Sequence, residues 1–186
     1  QETLGRGKTA LFLVPEIALT PQLLRIFAAH FGKQVAVLHS SLRTGERYDE
    51  WKRIRRGEAP VVIGTRSAVF APLPNLGLII LDEEQEASYK SENNPRYHAR
   101  EVAKYRCVQN GALLVLGSAT PSIETMYSAQ SGAYHCFTLR QRYNQRALPQ
   151  VHIVDMKEEL RAGNGTAISR RLREELEENL VRGEQA

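Results

Sequence analysis

Residues 78–85 read Leu-Ile-Ile-Leu-Asp-Glu-Glu-Gln, four apolar side chains ending abruptly in three acids and an amide. Opened by Gly77, so short and continuous an apolar run has the pattern of a strand buried on both faces. Such strands belong to parallel sheets covered by helices. Three adjacent carboxylates at the end of one repel each other unless a positive charge sits among them. In α/β enzymes that charge is commonly a hydrated Mg²⁺, held by one or two carboxylates and completed by substrate phosphates. Ligands of open α/β sheets bind outside the carboxyl ends of the strands. On this reading Asp82 holds the metal through water, and Glu83 orients or deprotonates an attacking water. The alternative is an acidic loop that merely follows a buried strand, and the stretch by itself is compatible with both.

The rest of the chain supplies a sheet for this strand to join. Apolar runs at 10–14, 35–38, 61–63 and 113–116 predict four more buried strands. Helical segments alternate with them. Thr20-Pro21 is a helix start, followed by Leu23, Leu24, Phe27, Ala28 and Phe31 at helical spacing and stopped by Gly32. Thr44 caps a charged helix with Tyr48, Trp51, Ile54 and Arg55, closed by Gly57, and Trp51 is expected in the core. Residues 97–109 form a further helix before Gly111, and Thr120-Pro121 starts another, to about residue 129. Residues 134–139 and 151–154 are candidate strands around a basic loop with Arg140, Arg142 and Arg146. Ile168, Leu172, Leu176 and Leu180 recur every four residues, an amphipathic helix that Gly183 stops. The alternation implies βαβ units: an α/β fold, a mainly parallel sheet with helices on both faces.

Composition narrows the class. With 42% apolar and 25% charged residues the chain has the balance of a soluble globular protein. A net charge of +4 permits nucleic-acid binding without demanding it. Cys107 and Cys136 are far apart and form no C-x-x-C pair, so they read as reduced cytoplasmic thiols and not as a disulfide framework or a zinc site. No apolar run approaches the roughly 18 residues of a membrane helix, and the first residues lack a signal peptide's apolar segment. Without a starting Met, the sequence reads as an excerpt of a longer one.

Gly5-Arg6-Gly7-Lys8-Thr9 imitates a phosphate loop but fails its tests. The full pattern, G-x-x-x-x-G-K-[ST], needs glycine at position 2, where this chain has Glu2. A phosphate loop also follows a strand and opens a helix, so that free N–H groups face the phosphates. Here a strand comes after the loop, and the segment reads as a basic turn.

In a parallel sheet all the strand ends lie on one rim. That rim would carry Pro15-Glu16, His39-Ser40-Ser41, Gly64-Thr65-Arg66, Asp82-Glu83-Glu84-Gln85 and Ser118-Ala119-Thr120. Acids for a metal, small residues for close backbone approach and an arginine for phosphates thus converge. D-E-E-x at one strand end and S-A-T at a later one resemble motifs II and III of the superfamily 2 helicases. Residues 13–22, 64–68, 96–100 (Arg-Tyr-His-Ala-Arg) and 117–122 extend the match to the replication-restart helicases of that superfamily, over about residues 11–142.

The resemblance implies a RecA-like motor lobe of the phosphate-loop NTPase class, incomplete at its N-terminus. Residues 1–142 would be partial lobe 1, carrying motifs Ia to III, and 143–186 a segment leading to lobe 2. It implies an ATP-dependent 3′→5′ DNA helicase acting in primosome assembly, with single-stranded or forked DNA, primosome proteins and single-strand-binding protein as partners. Asp82 would bind Mg²⁺ with ATP through water, Glu83 would activate water, and Glu84 and Gln85 would complete the catalytic group. Ser118, Ala119 and Thr120 would couple hydrolysis to movement. Pro15, Glu16, Thr20, Gly64, Thr65, Arg66, Tyr89, Arg96, Tyr97 and Arg100 would line the DNA path. The family's phosphate loop would lie upstream, and its second lobe and zinc-binding cysteines downstream. Two positions depart from the pattern: Gln85 stands where His is usual, and Pro95 where a Trp precedes R-Y-H-A-R. A metal-dependent nuclease using all three acids, and a non-catalytic DNA- or partner-binding module, remain competing readings.

Overall fold

In the computed structural model, which describes residues 1–140 and 150–184, the apolar run before the acids becomes the fourth of five strands. These are β1 (Thr9–Leu13), β2 (Val35–Leu38), β3 (Val61–Gly64), β4 (Leu76–Leu81) and β5 (Leu113–Leu116). They form one sheet in the order β2-β3-β1-β4-β5, with every neighbouring pair parallel. The chain divides into two compact units, Gln1–Cys136 with the sheet and Phe137–Ala186 beyond it.

Side-chain alternation along the strands builds two layers on the sheet. Leu11, Leu13, Ala36, Leu38, Val62, Ile79 and Leu81 share one core cluster with Ile54 of α3 (Thr44–Arg55) and Ala99, Ala103 and Cys107 of α4 (Ala99–Asn110). Small residues on α4 let it approach the strands closely. On the other face Phe12 meets Phe27 of α2 (Pro21–Phe31), ring centroids 5.3 Å apart. Helices therefore cover both faces, as expected. Each fully buried Leu or Ile in such a layer contributes roughly 1.5–3 kcal/mol.

Helix ends follow the capping logic with two shifts. Thr20 caps α2, its Oγ1 accepting from the Leu23 N–H at 3.2 Å. Arg43, not Thr44, is the N-cap residue of α3, and its N–H donates to Glu46 Oε2 at 2.8 Å. The helix expected from Thr120-Pro121 starts later, as α5 (Ile123–Gln130), because the Ser122 hydroxyl accepts from the Thr125 N–H and sets the boundary there. Gly111 closes α4 in a left-handed conformation, φ +57°.

The basic Gly5–Thr9 segment links a one-turn helix α1 (Glu2–Gly5) to β1, the reverse of a phosphate loop's strand-to-helix order. Residues 134–139 and 151–154 are not strands: Phe137, Leu139, Val151 and Ile153 are at least 83% exposed and join no sheet. An apolar pattern without a partner edge does not make a strand. In the second unit, Asp155 caps α6 (Met156–Arg161), an unanticipated helix, and Ser169 caps α7 (Arg170–Val181). Arg142 and Arg146 of the expected basic loop lie outside the described residues. Among the described residues no helix is long and apolar enough to cross a membrane.

Candidate active site

Because all five strands run in one direction, their carboxyl ends share a rim, and Asp82 stands on it after β4, between β1 and β5. The Asp82 N–H continues the ladder to the Leu13 carbonyl at 2.9 Å. Its Oδ1 accepts from the Glu83 N–H at 3.2 Å, and its carbonyl accepts from the Tyr89 hydroxyl at 2.7 Å. Glu83 then takes a left-handed backbone, φ +48°, which costs a residue with a Cβ about 1–2 kcal/mol. Strain of this kind persists only where the surroundings fix it.

Gln85, the residue after the three acids, forms a bridge. Glu83 Oε2 can only accept, so the Gln85 amide presents Nε2 to it, at 2.8 Å. Gln85 Oε1 then faces β5's end and accepts from the Ser118 hydroxyl at 2.6 Å. The Ser118 oxygen in turn accepts from the Thr120 N–H at 2.9 Å. Three links thus run from the candidate water-activating carboxylate to the S-A-T turn. A neutral His also offers one donor and one acceptor, so the amide substitutes for it in kind. Ala119 and Thr120 themselves are exposed.

Glu84 does something else. Its side chain is 1% exposed and points away from its two acidic neighbours' task, into a cluster of donors. Oε1 accepts from the Ser122 N–H at 2.7 Å, and Oε2 from Arg100 NH1 at 2.9 Å, Thr125 Oγ1 at 3.0 Å and Ser122 Oγ at 3.3 Å. Burial pushes its pKa up, but the Ser122 N–H, Arg100 and the two hydroxyls outweigh it and hold the carboxyl below its ordinary value. Ser122 and Thr125 were not singled out from the sequence; their S-x-x-T spacing marks only a helix cap. The three acids therefore do not converge, and among the described residues no cluster of three metal-ligating side chains exists. This removes the basis for a two-metal nuclease.

One carboxylate remains for a cation. Asp82 is half-buried on the rim, Gly117 beside it leaves its Oδ1 uncrowded, and Glu84 is neutralised elsewhere. A single carboxylate with open space matches Mg²⁺, which keeps most of its water and takes phosphate oxygens for the rest. Cys107 is buried and Cys136 exposed, both free thiols.

The expected DNA-lining residues divide sharply. Glu16, Thr20 and Arg96 are exposed on the unit's surface. Glu16 accepts from the Ser40 hydroxyl, and Tyr97 is half-buried with its ring edge-on to Phe70 at 4.9 Å. The others are structural here. Pro15 is buried. Gly64 is packed so tightly that an added Cβ would meet the Leu38 carbonyl and lie 2.6 Å from Ala68 Cβ, and Thr65 is 7% exposed. Arg66 folds back onto its own protein, NH1 donating to the carbonyls of Ser88 at 3.0 Å and Lys90 at 2.6 Å. Tyr89, 1% exposed, offers no ring face to a base, and Arg100 is consumed by Glu84. The expectation that Arg66, Tyr89 and Arg100 face a DNA strand is corrected accordingly. Trp51 is also not core: it is 36% exposed, with the Arg55 guanidinium 5.2 Å from its ring centre. Arg106 was missed; it ties α4 to the carbonyls of Val69 and Ala71.

Along the rim of this parallel sheet, hydrogen bonds join an aspartate, a strained glutamate and a serine turn into one candidate site. Its family is identified by comparison: residues 2–128 match the DEAD/DEAH box helicase family, and the chain belongs to it. It is similar to three proteins named replication restart protein PriA. That of Bacillus subtilis (strain 168) is 54% identical over 186 residues, all of this chain and 23% of the relative. That of Synechocystis sp. is 50% identical over 182 residues, covering 95% of this chain and 22% of the relative. That of Haemophilus influenzae is 40% identical over 185 residues, covering 100% and 25%. The chain thus spans about a quarter of the length of the curated relatives it matches.

Proposed function

We propose that this chain is part of the first motor lobe of an ATP-dependent 3′→5′ DNA helicase that acts in replication restart in the cytoplasm. The carrying observation is the path Glu83–Gln85–Ser118, which connects the candidate hydrolytic centre to a turn at the next strand's end. Residues 1–142 serve as the lobe, 143–186 lead toward a second lobe, and the phosphate grip comes from elsewhere in the longer parent. Asp82 would hold Mg²⁺, which when bound supplies neutralising charge for the ATP phosphates. Glu83, held by Gln85, orients and deprotonates the attacking water. Ser118 registers a change at Glu83 through Gln85 and passes it to the Thr120 backbone. Glu84 supports the turn by binding Arg100 and α5.

Single-stranded or forked DNA crosses the rim past Glu16, Thr20, Arg96 and Tyr97, with backbone N–H groups and Arg96 meeting phosphates. Primosome proteins and single-strand-binding protein are the partners this reading implies, and any zinc belongs to other parts of the parent. The test is Glu83→Gln in the intact parent. ATP binding should stay near normal while turnover is abolished; normal turnover would remove Glu83 from the mechanism.

A further inference from the structure

We propose that Tyr89 is a positioning residue for Glu83, and that Arg66 braces it, so that the carboxylate acting on water is held from behind by a buried hydroxyl. This rests on the function proposed above and adds two residues to it.

Glu83 is one of only two non-glycine residues with positive φ among the described residues. Nothing in its own side chain imposes that backbone. What does is the peptide before it: the Asp82 N–H is fixed to Leu13 and the Asp82 carbonyl to the Tyr89 hydroxyl at 2.7 Å. With both ends of Asp82 tied, the plane of the Asp82–Glu83 peptide is set, and Glu83 must turn left-handed to bring the next peptide to its own anchor. The Glu84 N–H then donates to the Gly117 carbonyl at 3.0 Å, which closes the turn on its far side.

Tyr89 can serve this purpose because it cannot move. It is the largest fully buried side chain of the core. Its backbone is clamped on both sides, since one Arg66 nitrogen donates to the carbonyls of Ser88 and Lys90, the residues flanking Tyr89. The Arg66 Nε is buried without a hydrogen-bond partner among the described residues, a desolvation cost that accompanies this placement of the guanidinium. Arg66 follows β3 and Asp82 follows β4, so the brace joins two strand ends that are not neighbours in the sheet.

Tyr89→Phe removes the hydroxyl and keeps the ring's volume. In the full-length parent we expect kcat for ATP hydrolysis to fall about ten- to a hundredfold, as misplaced catalytic groups do. KM for ATP and the affinity for a non-hydrolysable analogue should change less than twofold. A fold defect alone would instead show as fewer nucleotide-binding sites per molecule, titrated with the analogue, and as a lowered melting temperature. Arg66→Ala provides an independent arm: turnover at saturating DNA should fall, with single-strand affinity unchanged. Unaltered kcat in Tyr89→Phe overturns the proposal, as does a parallel loss of nucleotide affinity. Lost DNA affinity with normal saturating turnover in Arg66→Ala overturns the brace. Absence of DNA-stimulated turnover in the unaltered parent would instead sink the helicase reading, and this one with it.

Discussion

Replacing Arg100 with methionine tests how the acidic strand end is held. The variant keeps an unbranched side chain of similar length but leaves Glu84, 1% exposed, without its cationic partner. Breaking a buried pair by removing one member typically costs about 3–5 kcal/mol. Here the Ser122 N–H and the Ser122 and Thr125 hydroxyls remain as donors to the carboxylate, so a loss of about 2–4 kcal/mol is expected. For a unit of this size that lowers the melting temperature by roughly 10 °C. Urea unfolding followed by circular dichroism measures it directly. The pH dependence gives the sharper check. Glu84 has a depressed folded-state pKa, so its contribution is present above the unfolded value and is lost as pH falls through the folded one. In the variant the strongest charged partner is gone while burial remains, which drives the carboxyl upward, and protonation then relieves the defect. The stability gap between the two proteins should therefore shrink as pH falls into the acidic range where Glu84 of the variant takes up its proton. A gap under about 1 kcal/mol, or one that ignores pH, would refute the assignment. A double-mutant cycle with Glu84→Gln should show the two losses to be far from additive.

Gly64→Ala should destabilise the lobe by about 1–3 kcal/mol or more, because its Cβ would enter the Leu38 carbonyl and crowd Ala68, whereas Gly5→Ala, with nothing within 4 Å, should be near neutral; thermal melts compare them. Gln85→Ala in the parent should uncouple Glu83 from Ser118 and lower DNA-stimulated ATP turnover about tenfold, with ATP affinity retained. Gln85→His should restore most of it, since the ring again offers a donor and an acceptor; failure of that rescue would argue against the bridge.

Much of the scaffold could be read from the chain. The runs at 35–38 and 113–116 became β2 and β5 with the same bounds, and the strand ends do share a rim. An apolar run without a polar interruption makes such strands plain, although β5 is exposed at Leu113 and Val115 and not buried on both faces as expected. Side-chain direction at the rim was not legible. Arg66, Tyr89 and Arg100 have the chemistry of DNA contacts, yet each turns inward to a carbonyl or carboxylate 7 to 24 residues away in the chain. Sequence spacing carries no record of those partners. Trp51 erred the other way: helical spacing suggested core, while only Ile54 of that helix is fully buried. The strands expected at 134–139 and 151–154 had suitable residues but pair with no strand of the sheet.

The outermost strand has a practical consequence. Leu113 and Val115 of β5 are 63% and 39% exposed on one face, while Leu114 and Leu116 pack on the core. Its outer edge has no partner among the described residues. An open edge beside uncovered aliphatic side chains is a template for strand addition between molecules. Produced by itself at high concentration, this piece should precipitate or form β-rich assemblies before it loses its fold. Lysine at position 113 is the change that would keep it in solution.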